Sequence, residues 1–567
     1  MHTAPSSPAK SKLIGQILVD SKIITADQLE KALAVQALEH GLICTLIVRL
    51  GFASAQSVFA ALASKLGIEY VDLKKEKIEP AAIEKVPAKL ALHYELMPYK
   101  FDGKTLVVAL ADPYDLHKLD DLGLILDIKV ETVLSYEKDI LDCIHKYYGM
   151  GAHILEDIMA RPDAQSKMEQ RASVVEDMES AVEDASIIKF VNQIFSQAVE
   201  ERTSDIHMEP YENELRIRFR IDGFLYEVPI PESLKYFHQA IVSRVKIMAQ
   251  LDIAEHRLPQ DGRIQIGVKG EDLDLRVSIL PSSFGESVQI RLLSARSFLG
   301  LDNLGLLPDN RAKIDTLINR PHGIVFVTGP TGSGKSTTLY ASLAQRNAVN
   351  TKIITVEDPI EYQMRGITQM QVNPKVGFTF AEGLRSILRH DPDIIMVGEV
   401  RDAETADITI RSAMTGHLVF STLHTNDAAG TPTRLIDMGT ESFLAASSLE
   451  GVIAQRLVRL ICPDCREGKK VPAQLFRQEG VEVKPNEVEV FQGKGCKSCR
   501  FTGFKGRTAI FEIMLVDDEL RDLIFKRVTS QTIKEKALKA GMRTLRQDGL
   551  RKVLEGNTAL AEVMRVT

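Results

Sequence analysis

Two stretches of this chain carry residue types at spacings that chemistry uses. The first is Gly329-Pro330-Thr331-Gly332-Ser333-Gly334-Lys335-Ser336-Thr337, between the apolar run Ile324–Thr328 and a helical pattern. Strand, glycine-rich turn and helix in that order make a phosphate cradle. Glycines let backbone N–H groups curl round phosphate oxygens, and the helix N-terminus adds a favourable dipole. Lys335 is expected to reach the β- and γ-phosphates and the Ser336 hydroxyl to ligate Mg²⁺. Gly329, Thr331, Gly332, Ser333, Gly334 and Thr337 complete the expected binding set for ATP. The second stretch is a pair of CxxC knuckles, Cys462/Cys465 and Cys496/Cys499, 30 residues apart. Four thiolates suit a tetrahedral Zn²⁺, and a closed four-sulfur site is structural because no position remains for water. The other cysteines, Cys44 and Cys143, read as ordinary core residues.

Acidic strand ends say more about the reaction. Lys352–Val356 is apolar enough for a core strand and runs into Glu357, and Asp393–Gly398 runs into Glu399. In parallel α/β sheets the carboxyl ends of the strands converge beside the phosphate loop. One carboxylate there can polarise the attacking water and the other can hold Mg²⁺ through its shell. The alternative is that either acid caps the next helix. His417 and His424 bracket a third strand, Leu418–Thr422. A histidine at a neighbouring strand end can sense the γ-phosphate; His424 is the candidate, while His417 has a simpler structural account. Arg216, Arg218 and Arg220 alternate onto one face of Leu215–Ile221, with Arg257, Arg263 and Arg276 further along. They form either an outward basic face or arginine fingers that approach a triphosphate across a domain or subunit gap.

These residues need several domains to hold them. At roughly 150 residues per domain, the 567 residues suggest three to five. With 44% hydrophobic and 26% charged residues the chain is globular, which excludes a disordered, collagenous or disulfide-framework protein. A net charge of −7 argues against a chain built to coat nucleic acid or an anionic membrane. No apolar run approaches the length of a membrane span, and no signal-peptide cleavage site follows the basic N-terminus, so a cytoplasmic location is expected. The expected organisation is a disordered tail over 1–12, a mostly helical then α/β domain over 13–150 and an acidic linker over 151–184. A small α+β domain over 185–300 follows, then an α/β P-loop domain over 301–567 with a tetracysteine insert over 462–499. Residues past Thr508 read mainly as helices. Within the first domain, Leu13–Gln36 and Leu42–Lys65 align without gaps at 7 of 24 positions, with Thr25 and Ser54 as expected helix N-caps.

The motifs in order resemble a known family. GPTGSGKST, TVEDPIE at Thr355–Glu361, RHDPDIIMVGEVRD at Arg389–Asp402 and TGHLVFSTLHTND at Thr415–Asp427 are similar to those of the secretion ATPases. SDIHMEP at Ser204–Pro210, PQDGR at Pro259–Arg263 and the cysteine knuckles point to the type II secretion and type IV pilus-assembly branch, because the related retraction ATPases lack the knuckles. The resemblance implies a RecA-like P-loop core and a cytoplasmic homo-hexamer, peripheral at the inner membrane through its partners. It implies that ATP hydrolysis drives pilin or pseudopilin assembly through an inner-membrane platform protein, with the N-terminal domain as the docking module. By the same resemblance Glu357 is the catalytic glutamate, Glu399 the Walker B acid, His424 the histidine-box residue and Arg218 an arginine that reaches the γ-phosphate. A second such arginine falls near Ser233, where Lys235 is the nearest cation. The N-terminal repeat resembles tandem motifs that bind cyclic di-GMP. Leu13 and Leu42 stand where arginine is expected, Cys44 replaces a glycine and Lys65 a glutamine, which keeps the fold and weakens the case for that ligand.

Two other functions fit parts of the pattern. RecA-like rings also pump DNA, and Lys494, Lys497, Arg500, Lys505 and Arg507 form a basic cluster beside the knuckles. The net acidity and the lack of interleaved aromatics there argue against it, so nucleic acid is not an expected partner. A small-molecule kinase would need a bound acceptor, whereas two strand-end acids and a histidine fit water activation better.

Overall fold

The computed structural model describes residues 8–39, 42–115, 117–149, 185–268, 271–294 and 300–567. They fall into two compact units, Met1–Leu292 and Leu293–Thr567. The expected linker over 151–184 and the first seven residues of the expected tail lie outside the described residues. A helix, Pro8–Asp20, begins inside the remainder of that tail segment.

In the first unit the sequence repeat becomes two helical hairpins, Pro8–Asp20 with Ala26–Glu39 and Ile43–Arg49 with Ala55–Leu66. The Thr25 Oγ1 accepts from the Gln28 amide at 3.3 Å and the Ser54 Oγ from the Ser57 amide at 3.1 Å, so both residues cap as expected. Leu18, Ala32, Ile47, Val58 and Phe59 fill the space between the helices. A small sheet follows, with β1 (Met97–Phe101) antiparallel to β2 (Thr105–Leu110) and β2 parallel to β3 (Lys129–Leu134).

Residues 185–294 form the expected α+β layer. Its strands are β4 (Asp205–Pro210), β5 (Leu215–Ile221), β6 (Phe224–Glu227), β7 (Gln260–Val268), β8 (Glu271–Ser282) and β9 (Gly285–Ser294), in the order β6-β5-β4-β9-β8-β7. Side chains alternate across the sheet. Ile217 and Phe219 are buried with residues of the helices Ala185–Glu200 and His238–Met248. Arg216, Arg218 and Arg220 therefore occupy the opposite face.

The second unit is built on β10 (Gly323–Thr328), β11 (Ile353–Glu357), β12 (Thr368–Gln371), β13 (Ile394–Val397), β14 (Leu418–Leu423), β15 (Leu449–Ile461) and β18 (Phe504–Leu515). Their order is β12-β11-β13-β14-β10-β15-β18, parallel from β12 to β15, with β18 antiparallel at the edge. β10, β13 and β14 are buried along their whole length, which is why they read as unbroken apolar runs. Past Thr508 the chain is mainly helical, although β18 first continues to Leu515 before the helices begin. Its run Ala509-Ile510-Phe511 is short and apolar, and such a run fits a strand or a buried helix until its partner is known. The insert contains a hairpin of β16 (Arg466–Pro472) and β17 (Glu487–Gly493).

Candidate nucleotide site and metal centre

The phosphate loop leaves the end of β10 and enters the helix Lys335–Arg346. Gly329, Gly332 and Gly334 have φ of 147°, 77° and 88°, in the left-handed region that a side chain disfavours. Packing adds a second constraint, because a Cβ on Gly334 would lie 2.8 Å from Gln455 Nε2. The Lys335 ammonium folds back over the loop and donates to Gly329 O at 2.8 Å and Pro330 O at 3.1 Å. Burial lowers its pKa, and the Glu399 carboxylate opposes that shift. Thr331 and Ser336 are exposed at the loop, so the Ser336 hydroxyl is accessible to a metal ion.

Parallel pairing levels the strand ends. Thr328 pairs with Leu423, Val397 with Ser421 and Val356 with Val397. Gly329, Glu357, Glu399 and His424 therefore leave the sheet along one edge, although they are far apart in sequence. Glu357 closes β11 and is only 3% exposed. Its carboxylate accepts from Thr355 Oγ1 at 2.6 Å, from Gln369 Nε2 at 3.1 Å and from the Tyr340 hydroxyl. Burial pushes its pKa up, while the three donors hold it down. Glu399 sits just past β13, paired with Arg401, and its Oε2 lies 3.5 Å from His424 Nε2. The His424 ring is half exposed. The loop that carries it is tied to the P-loop strand: Thr328 Oγ1 accepts from the Thr425 amide at 2.8 Å and lies 2.7 Å from Thr425 Oγ1. His417 lies at the other end of β14, with Nδ1 2.9 Å from Ser412 O, which suits the structural account. This edge can bind phosphate groups, hold a hydrated divalent cation and orient a water molecule.

The arginines belong to the first unit. Arg218 forks onto Glu209, with Nε at 2.8 Å and Nη2 at 2.7 Å from its oxygens. Arg220 donates to Gly223 O at 3.0 Å, and Arg216 pairs with Glu214. Arg263 stands opposite Arg276 across β7 and β8, and Arg291 on β9 donates to Asp205 at 3.0 Å. Lys235 Nζ donates to Asn213 O at 3.1 Å. Sequence reasoning missed Arg291, and it missed Tyr340 and Gln369 around Glu357. No spacing rule marks a tyrosine on a buried helix face or a glutamine on a short edge strand.

The four cysteines of the insert converge, with all four sulfurs within 4.8 Å of one another. Neighbouring sulfurs are 3.8 Å apart for Cys462–Cys496 and 3.7 Å for Cys465–Cys499 and Cys496–Cys499. A tetrahedron with metal–sulfur bonds of about 2.3 Å has edges of about 3.8 Å, which these three separations match, so the four thiols are grouped as a zinc ion requires. Cys499 Sγ also accepts the amides of Cys496 and Gly503 at 3.1 and 3.2 Å, bonds that favour a thiolate. Burial raises its pKa, but these donors and the neighbouring thiols bring it down to about 6. When bound, Zn²⁺ would cross-link the two knuckles and contribute folding energy.

A family model described as Type II/IV secretion system protein matches residues 180–565, and one described as MshEN domain matches residues 66–154. The chain is 42% identical over 558 residues to the "Type IV pilus assembly ATPase PilB" of Myxococcus xanthus, covering 97% of this chain and 98% of that protein. It is 50% identical over 437 residues to the "Type II secretion system ATPase E" of Vibrio cholerae, covering 76% of this chain and 86% of that one. Among solved structures, the Legionella pneumophila ATPase DotB aligns with a TM-score of 0.50 and 23% identity over 67% of this chain and 95% of its own, a likeness of fold. The RecA-like core expected from the motifs is the observed fold.

Freshly purified protein is expected to contain one Zn²⁺ per chain by elemental analysis, and Cys465→Ser to lower that content. Chelation should speed amide hydrogen exchange over 462–507 before it reaches β10. A metal-free preparation with the same exchange pattern would contradict a zinc centre.

Proposed function

The chain belongs to the Type II/IV secretion system protein family, and from that premise we propose how its residues divide the work of ATP hydrolysis. The family is one of ATP-hydrolysing motors of secretion and pilus assembly, and this chain is an ATPase of that kind. The observation that carries the division of labour is the level edge of β10, β11, β13 and β14.

In this reading Gly329–Thr337 wraps the phosphates, and Lys335 leaves the loop carbonyls for the β- and γ-oxygens. Ser336 and the Glu399 shell hold Mg²⁺, which supplies neutralisation of phosphate charge when bound. Glu357 takes the proton of the attacking water, a role supported by its raised pKa and its fixed orientation. His424 reports the γ-phosphate through Glu399 and through the tie of its neighbour Thr425 to Thr328. Arg218 stabilises the transition state from the preceding domain, after release from Glu209. The four cysteines hold a structural Zn²⁺.

The assembly is a homo-hexamer that drives pilin-type subunits through an inner-membrane platform protein. Relatives named for pilus assembly and for type II secretion both support this reading, and those names set the nucleic-acid motor aside. Among the described residues no helix is long and apolar enough to cross a membrane. From the family, and not from that absence, we place the chain at the cytoplasmic face, held by partners. The MshEN match begins at residue 66, beyond the repeat with the altered motifs, and cyclic di-GMP forms no part of the reading.

Lys335→Ala should weaken ATP binding by about a hundredfold. Glu357→Gln should bind ATP normally while kcat falls by about 10²–10⁴. Normal turnover in the glutamine variant would remove Glu357 from the catalytic role.

Tyr340→Phe tests the same carboxylate by pH. Loss of one donor to Glu357 raises its pKa further, so the active carboxylate is reached only at higher pH. The acid limb of the kcat profile should move up by about one pH unit. An unmoved limb would mean that Glu357 does not set it.

Arg218→Ala should lower kcat by about 10³ with ATP affinity kept. Specific activity should rise with protein concentration as the ring forms. A loss in Arg276→Ala or Arg291→Ala equal to or larger than that in Arg218→Ala would transfer the role. Concentration-independent activity from monomers, with the platform fragment present, would refute the ring.

A further inference from the structure

β14 and β15 lie on either side of β10, the strand that feeds the phosphate loop. Thr328 at the end of β10 pairs with Ala454 on β15, so Gln455 and Arg456 run alongside the start of the loop. Gln455 turns its side chain to Thr338 of the following helix, where its Oε1 accepts at 2.6 Å. Arg456 reaches the other way. Its Nη2 donates to Asn426 O, in the loop after β14, at 2.9 Å, and its Nη1 to Gln455 O at 3.0 Å. The guanidinium therefore spans the carboxyl end of β10, and a Cβ placed on Gly329 would lie 3.0 Å from Nη1.

Its partners are neutral main-chain oxygens. Among the described residues no carboxylate lies within ion-pair distance of Arg456. The two nearest in electrostatic effect, Glu512 and Asp427, are engaged elsewhere. Glu512 accepts from the Ala428 amide at 2.8 Å, and Asp427 pairs with Lys534 at 2.9 Å. Lys335, whose ammonium feels the Arg456 charge, also rests on carbonyls alone. Two half-buried cations thus lie at the loop: Glu399, which already holds Arg401, opposes Lys335, while Glu512 and Asp427 act on Arg456 without an ion-pair contact. A desolvated cation without a counter-ion is costly, and an arriving phosphate removes that cost.

We propose that Arg456 is a second phosphate-binding cation of the nucleotide site, supplied by β15, which turns from Asn426 O to the terminal phosphates of bound ATP or ADP. The proposal rests on the nucleotide role of the P-loop. A guanidinium offers five N–H donors, so it can keep Gln455 O while it grips a phosphate oxygen. Release of Asn426 would also free the loop that carries His424, two residues before it in sequence.

The test is calorimetric titration of the full chain with Mg-ATP, Mg-ADP and AMP, for wild type, Arg456→Gln, Arg456→Lys and Lys335→Ala. Glutamine keeps a donor for the carbonyl and removes the charge, so the ligand-free melting temperature should stay within a few degrees of wild type. Arg456→Gln should weaken ATP and ADP by about tenfold to a hundredfold, with AMP unaffected, and Arg456→Lys should recover part of the loss. Wild-type affinities for ATP and ADP in the glutamine variant would overturn the proposal, as would an equal loss for AMP, which marks a purely structural staple. Failure of the nucleotide reading itself has a different signature: wild type and Lys335→Ala would bind ATP equally or not at all.

Discussion

Parallel register is the constraint on which the site depends. Strands β11, β13, β14 and β10 are buried along their length, so no charged side chain leaves them before their carboxyl ends. The acids and the histidine are confined to the ends and the loops beyond them, and the pairing of Val356, Val397, Ser421, Thr328 and Leu423 brings the carboxyl ends level. A shift of one step in any strand would turn its side chains to the other face and carry its acid or histidine away from the loop. The apolar core thus fixes the polar edge: Leu384, Ile395, Val397 and Ile410 hold one layer and Leu339, Leu343, Met396 and Phe420 the other.

Burial at that edge is offset by hydrogen bonds that join separate elements. Glu357 is nearly inaccessible, and an isolated buried carboxylate would protonate. Its donors come from β11 itself, from the edge strand β12 and from the P-loop helix. The Tyr340 hydroxyl also accepts the Glu361 amide at 3.2 Å. The helix that begins at the phosphate loop is thereby connected to the carboxylate and to the chain beyond it. On the other side of β10, the hydroxyls of Thr328, Thr425 and Thr431 link the strand to the loop after β14. Both connections offer a route by which loop occupancy could reach neighbouring elements.

Local spacing was legible in the sequence, and cross-element geometry was not. GPTGSGKST and the two CxxC pairs announce themselves because their function needs residues a few positions apart. Glu357, Glu399 and His424 were legible because each ends an apolar run. Arg456 was hidden inside Leu449–Ile461, where it reads as one charge in a long strand. The fork between Arg218 and Glu209 depends on how β4 lies against β5, which no periodicity reveals. Asp548 and Lys552, spaced as an exposed helical pair, are buried instead: Asp548 takes up Asn310 at 2.7 Å and the Phe511 amide at 2.9 Å. The strand character of β18 was masked because its partner, β15, lies across the whole insert.

The central claim is that this edge directs water onto a phosphate held by the loop. It is tested most directly by hydrolysis in ¹⁸O-labelled water. The purified protein is mixed with Mg-ATP, and the products are analysed by mass spectrometry. The account predicts ADP and inorganic phosphate in equal amounts, with one oxygen of each phosphate drawn from the labelled water. ATP left intact, or a phosphoryl group found on another acceptor, would contradict it.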